Sequence, residues 1–157
     1  MAKSGRNTVA VVLEEPKRLA LRDLSLPDPV DGEIVVDVAF SGISTGTERL
    51  LWSGEMPPFP GLGYPLVPGY ETAGCVVEAG AGTTLRVGDH VFVPGARCFG
   101  DVRGLFGGSA SRLVVADARA IRIDSHLGEQ GVLFALAATA LHALAASGAS
   151  PPDLIVG

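Results

Sequence analysis

Soft metal ligands and disulfide partners are scarce in this sequence. Two cysteines, Cys75 and Cys98, and three histidines are spread over 157 residues. Two cysteines cannot build a disulfide framework, so a reduced, cytoplasmic setting is expected. Basic residues number 12 against 17 acidic ones and never gather in runs. That pattern excludes the electrostatic footprint of a nucleic-acid binder or of a protein held on an anionic membrane. The polar start, "MAKSGRN", carries no apolar segment of signal-peptide type. The longest apolar stretch, 132–146, falls short of the roughly 20 residues that span a bilayer, and no integral membrane segment is expected.

Glycine, at 21, and proline, at 11, are plentiful. They fall as turn signals between short β-type segments and show no repeat period. "TVAVVL" (8–13) and "RLALRDL" (18–24) flank Glu14-Glu15-Pro16-Lys17. In "EIVVDVAF", alternation places Ile34, Val36, Val38 and Phe40 on one face and Glu33 and Asp37 on the other. Further strands are predicted at 73–80, in "DHVFVP", at 111–116 and at 120–123. In "DHVFVP", Val91 and Val93 oppose His90 and Phe92. Cys75 reads as a small buried hydrophobe within its strand. About seven short strands in the first 125 residues point to an antiparallel barrel or sandwich. The alanine- and leucine-rich "EQGVLFALAATALHALAAS" predicts a helix that is apolar almost all round and hence buried between layers, with Gly148 as its stop. "PPDLIVG" reads as entry to a buried strand of a doubly wound unit, as if the chain were cut inside a second domain.

"GIS…TE", "PLVPGYETAGCVVEAG", "VGDHVFV", the apolar helix and "DLIVG" together resemble the medium-chain dehydrogenase/reductase superfamily. Within it, "SGISTGTERLLWSGEMPPFPGLGYPLVPGYE" and "LFGGSASRLV" are similar to alcohol dehydrogenases of bacteriochlorophyll biosynthesis. The resemblance implies a mainly β fold: a GroES-like, partly open barrel with short helices (8–127). A linking helix and the first strand of a Rossmann domain would follow (128–157). It also implies NAD as cofactor and a chlorin (bacteriochlorophyllide) substrate, whose 3-(1-hydroxyethyl) group becomes acetyl. Gly157 would open the dinucleotide fingerprint. An oligomer of identical subunits is left open.

Zinc-dependent members carry Gly-Ile-Cys and Gly-His-Glu segments. Here the matching positions read Gly42-Ile43-Ser44 and Gly69-Tyr70-Glu71, and the C-x-x-C series of the structural zinc lobe is missing. Serine and tyrosine are poor substitutes for thiolate and imidazole, so no zinc is expected. Alcohol oxidation without a Lewis acid needs another proton acceptor. Ser44, Thr45, Thr47, Tyr70 and Glu71 occupy the motif positions, and a relay through Tyr70 and Ser44 or Thr45, ending at Glu71 or solvent, is the expectation. The alternative reading makes these hydroxyls and carboxylates structural. Glu48 reads as a helix-start charge with Thr47 as cap, and His142 as a core histidine. His126 reads as solvated, and His90 has no evident partner. Trp52, Met56, Phe59 and Tyr64 lie on a proline-stiffened loop that suits a flat apolar ligand or packs as a lid. Arg97 and Arg103 meet a substrate carboxylate or remain surface charges. Two other functions stay open: another zinc-free reductase acting on quinones or activated C=C bonds, and a GroES-like binding module without catalysis.

Overall fold

A two-residue turn at Pro16-Lys17 starts the fold in the computed structural model, which describes residues 6–147. Proline presets the first turn position, and Lys17 takes the left-handed conformation (φ 66°) that the second requires. The turn joins β1 (Arg6–Glu15) to β2 (Arg18–Leu26) as an antiparallel hairpin. After β3 (Glu33–Ser41) come α1 (Thr47–Ser53), β4 (Leu66–Val67), β5 (Thr72–Ala79), β6 (His90–Val93), β7 (Arg103–Gly104), β8 (Arg112–Ala116) and β9 (Ile121–Arg122). A 3-10 stretch, Ser125–Leu133, leads into α2 (Phe134–Ser147).

The strands form two sheets, in the orders β2-β1-β4-β7 and β8-β3-β5-β6-β9. Ala10 bridges Ala110, so β1 stitches the first sheet to the start of β8 and partly closes a barrel. The main core lies between the sheets. Val12, Val35, Val67, Val76, Val93 and Leu113 are fully or almost fully buried there, each contributing about 1.5–3 kcal/mol of transfer free energy. A smaller cluster of Leu13, Leu51, Leu66 and Leu105 sits under α1 and the loop that follows it. This mainly β, partly open barrel with short helices is the architecture expected from the sequence.

Several details differ. Nine strands are present among the described residues, where about seven were expected in the first 125. The two-residue β4 and β7 pair in parallel inside an otherwise antiparallel arrangement. Strict alternation fails in β3: Val35 is buried beside Ile34 and Val36, whereas Phe40 is 42% exposed. Register shifts at Val35/Val36 and Val38/Phe40 break the period of two. Phe92, outside the core cluster that holds Val91 and Val93, is buried all the same, because its ring stacks on Phe134 at 5.8 Å. Cys98, not Cys75, is the buried cysteine.

The largest departure is the apolar helix. It begins in α conformation only at Phe134, and Leu136, Leu141, Leu144 and His142 are exposed instead of buried between layers. Nothing among the described residues covers its outer face. By length and composition, Ser125–Ala145 passes as one run able to cross a membrane. Gly128 breaks it, however, and the 14 residues of α2 extend only about 21 Å against a hydrocarbon core of ~30 Å. The strand expected within 151–157, with Gly157, and the stop at Gly148 lie outside the described residues.

Candidate active site

α1 carries the centre of the site, and its entry differs from expectation. Thr47 is the first helical residue rather than the cap, and Gly46 at the cap position has no side chain to offer. Ser44 supplies the acceptor instead. Its Oγ accepts the Thr47 N–H at 3.2 Å, and the Glu48 carboxylate accepts the Ser44 N–H at 3.0 Å. This reciprocal pair works as a capping box does. Gly54, in left-handed conformation, ends the helix. Leu51, 1% exposed, pins the inner face of α1 into the smaller cluster.

The pinned helix forms one wall of a cavity of about 420 Å³, and the β1–β2 hairpin forms the facing wall. Ser44, Thr45, Glu48, Arg49 and Trp52 line the α1 side; Val11, Leu13 and Leu19 line the other. Glu48 is the one carboxylate on this largely apolar surface, and it is 9% exposed. Burial pushes its carboxyl above the ordinary range, and the nearby Glu71 charge pushes the same way. The backbone N–H groups of Glu48, Ser44 and Gly69 pull in the opposite direction.

Glu71 lies behind this cavity rather than in its lining. It is 6% exposed, and its carboxylate packs so tightly on Gly42 that a Cβ there would collide with it. Only glycine at position 42 permits that approach. The Tyr70 hydroxyl meets Thr47 Oγ1 at 3.5 Å, and its ring stands edge-on to Phe106. The structure therefore brings Ser44, Thr45, Thr47 and Tyr70 around the start of α1, with Glu71 behind them.

The aromatic loop divides. Trp52 faces the cavity, 43% exposed, whereas Met56, Phe59 and Tyr64 pack against Leu51 and its neighbours. The Tyr64 hydroxyl donates to the Leu51 carbonyl, tying the loop to α1. Arg97 and Arg103 line a separate cavity of about 330 Å³ beside Pro60 and Gly61, and Arg103 donates to the Tyr64 carbonyl at 3.2 Å. His126 pairs with Asp124 at 2.6 Å.

Sequence reasoning read Glu48 as a helix-start charge, a role it holds in the first turn of α1, but missed the hairpin wall. A signal was present. β1 is apolar on both faces, with Val9 and Val11 alternating with Ala10 and Val12, while Leu19 and Leu21 continue the outer face on β2.

Residues 30–125, which hold the barrel and this carboxylate- and hydroxyl-lined cavity, match the alcohol dehydrogenase GroES-like domain. The chain belongs to that family, within the medium-chain dehydrogenase/reductase superfamily. It is 58% identical over 151 residues to a 2-desacetyl-2-hydroxyethyl bacteriochlorophyllide A dehydrogenase of Rhodobacter capsulatus. It is 57% identical over 155 residues to the protein of the same description in Cereibacter sphaeroides. Each alignment covers 96% of this chain but 48% and 49% of those proteins, so the chain spans about half the length of the curated relatives it matches. Among solved structures, a cobalt- and zinc-bound alcohol dehydrogenase of Pyrobaculum aerophilum superposes with TM-score 0.71 at 26% identity, covering 93% of this chain and 50% of that one. An alcohol dehydrogenase of Escherichia coli complexed with NADH superposes with TM-score 0.65 at 26% identity, covering 82% and 42%.

The zinc of the Pyrobaculum protein raises the question of whether this chain's residues fit such an ion. A catalytic zinc takes three protein ligands from thiolate, imidazole and carboxylate. Around Ser44 and Tyr70 the available groups are hydroxyls and two carboxylates. Among the described residues no group of three His, Cys, Asp or Glu side chains could hold a metal. The donor set does not fit.

Proposed function

We propose that this chain is the catalytic-domain portion of an NAD-dependent alcohol dehydrogenase that oxidises the 3-(1-hydroxyethyl) group of a bacteriochlorophyllide to acetyl without a metal. The observation that carries this reading is the 58% identity over 96% of the chain to a bacteriochlorophyllide dehydrogenase. The apolar cavity with one enclosed carboxylate supports it.

Bound nicotinamide would accept the hydride from the carbinol carbon. The proton of the alcohol must leave at the same time, and in a low-dielectric cavity it needs a nearby acceptor. Ser44 Oγ already accepts the Thr47 N–H, so its own hydrogen is free to point into the cavity and pass a proton along. Glu48, adjacent and facing the same space, takes that proton on its carboxylate. Burial has already raised its proton affinity, which brings it nearer the working range of a general base. Thr45 orients the alcohol at the cavity wall. Tyr70 and Thr47 hold the start of α1 in place, and Glu71 acts from behind by its charge. This relay ends at Glu48, where the sequence alone pointed to Glu71 or solvent.

The test is kcat/KM of the full-length enzyme with 3-hydroxyethyl bacteriochlorophyllide a and NAD, followed by the pigment's absorption shift. Glu48→Gln should lose about 10²–10⁴-fold and Tyr70→Phe markedly less. Near-wild-type rates for Glu48→Gln would remove the relay. Stoichiometric zinc that tracks turnover in elemental analysis would remove the metal-free mechanism.

A further inference from the structure

The cavity beside Ser44 does not stop at Trp52. A second depression of about 270 Å³ adjoins it and shares Val11, Ile43 and Ser109 with it. Together they form a trough along the outer face of the β1–β2 hairpin. Cross-strand pairing sets Val11 opposite Leu21 and Leu13 opposite Leu19, so the hairpin wall is a continuous apolar surface. Ile43 and Trp52 stand across from it. Ile43 is 77% exposed and Leu21 71%, and side chains of this kind gathered in one trough mark a binding surface rather than scattered surface apolarity. Besides the hydroxyls of Ser44, Thr45, Ser109 and Ser111 and the Glu48 carboxylate, the polar lining includes Arg49, which is exposed at the rim beside Trp52 and makes no ion pair among the described residues. A two-walled, largely apolar trough with an unpaired cation at its rim fits a flat ring system that bears a carboxylate.

We propose that this trough seats the substrate macrocycle edge-on between the hairpin and the Ile43–Trp52 segment, with Arg49 taking its carboxylate. The inference rests on the bacteriochlorophyllide reading above and deepens it. It assigns the carboxylate to Arg49 rather than to Arg97 or Arg103, which line a different cavity. It also makes Leu19, Leu21 and Ile43 specificity-determining residues.

The experiment uses full-length enzyme, NAD and two probes: 3-hydroxyethyl bacteriochlorophyllide a as the free acid, and its methyl ester at the propionate. Leu21→Asp should raise KM about tenfold or more for both probes, and more than it lowers kcat. Arg49→Gln should raise KM for the free acid but leave the ester unchanged. Unchanged KM in both variants, with the pigment still oxidised by wild type, would overturn the seat and leave the proposed function standing. A rise in KM for NAD alone in Arg49→Gln would overturn the carboxylate assignment. If Leu21→Asp lowers Tm while KM stays the same, protein and not substrate covers this face, and the seat is refuted. Failure of the wild-type enzyme to bind or oxidise the pigment would refute the function itself and the seat with it.

Discussion

Leu51→Ala tests how α1 is held and, through it, where the aromatic loop belongs. Leu51 is 1% exposed and touches a cluster in which Leu13, Leu66 and Leu105 are also buried, with Met56, Phe59, Leu62 and Tyr64 packed around them. Truncation removes three methylene equivalents at about 0.8 kcal/mol each. The tightly enclosed site adds a cavity term, which brings the expected loss to about 3–4 kcal/mol, within the usual span for such a change. With a urea dependence of about 1–3 kcal/mol per molar, the unfolding midpoint should fall by roughly 2 M. Trp52 is the chain's sole tryptophan and sits on the same helix, so its fluorescence reports the transition. Leu51→Met, which conserves volume, should cost less than about 1.5 kcal/mol. A Leu51→Ala loss below about 1 kcal/mol would refute the packing argument. Met56, Phe59 and Tyr64 would then be loose enough to serve the substrate, as the sequence alone allowed.

Gly95 takes φ 92°, and a Cβ there would collide with the Phe106 carbonyl oxygen. Gly95→Ala should therefore destabilise the domain by about 1–3 kcal/mol or more, read as a lower Tm; a neutral result would show that the 95–107 loops can part. Glu48 predicts a pH dependence. Its carboxyl is raised by burial, so between the ordinary carboxylate range and its folded value the native state binds more protons than the unfolded one. Stability should fall as pH rises through that window. Glu48→Gln keeps an acceptor for the Ser44 N–H and should remove this slope. Tm measured from roughly pH 4 to 8 should shift in favour of the variant as pH rises, and a constant offset would count against the shift.

The barrel was legible because its signals are local. Gly and Pro punctuate it, and the hydrophobic runs of β1, β3, β5, β6 and β8 sit within two or three residues of their observed bounds. The parallel β4–β7 pair was not legible. Two-residue strands carry no period, and their pairing is set by backbone bonds such as Leu105 N–H to the Val67 carbonyl. The exposure of α2 has a different cause. Composition reports that α2 needs a cover, and the described residues do not contain one. In the site, the motif positions pointed to Ser44 and Tyr70, but which carboxylate faces the cavity depends on the turn at Gly46. A one-dimensional reading could not orient Glu48 inward and Glu71 behind Gly42.

The stitching of β1 to the segment before β8 shapes how the chain acquires its fold during synthesis. Val9 N–H bonds Ser111 Oγ across 102 positions, and Ser111 N–H returns a bond to the Val9 carbonyl at 2.8 Å. A hairpin such as β1–β2 closes in about 1–10 μs, whereas translation needs roughly 5–20 s to deliver another hundred residues. The hairpin must therefore wait on the ribosome with both oily faces bare, the interval in which chaperones bind or nascent chains adhere to one another. Stalling translation before residue 111 should leave it protease-sensitive, and release past residue 116 should protect it.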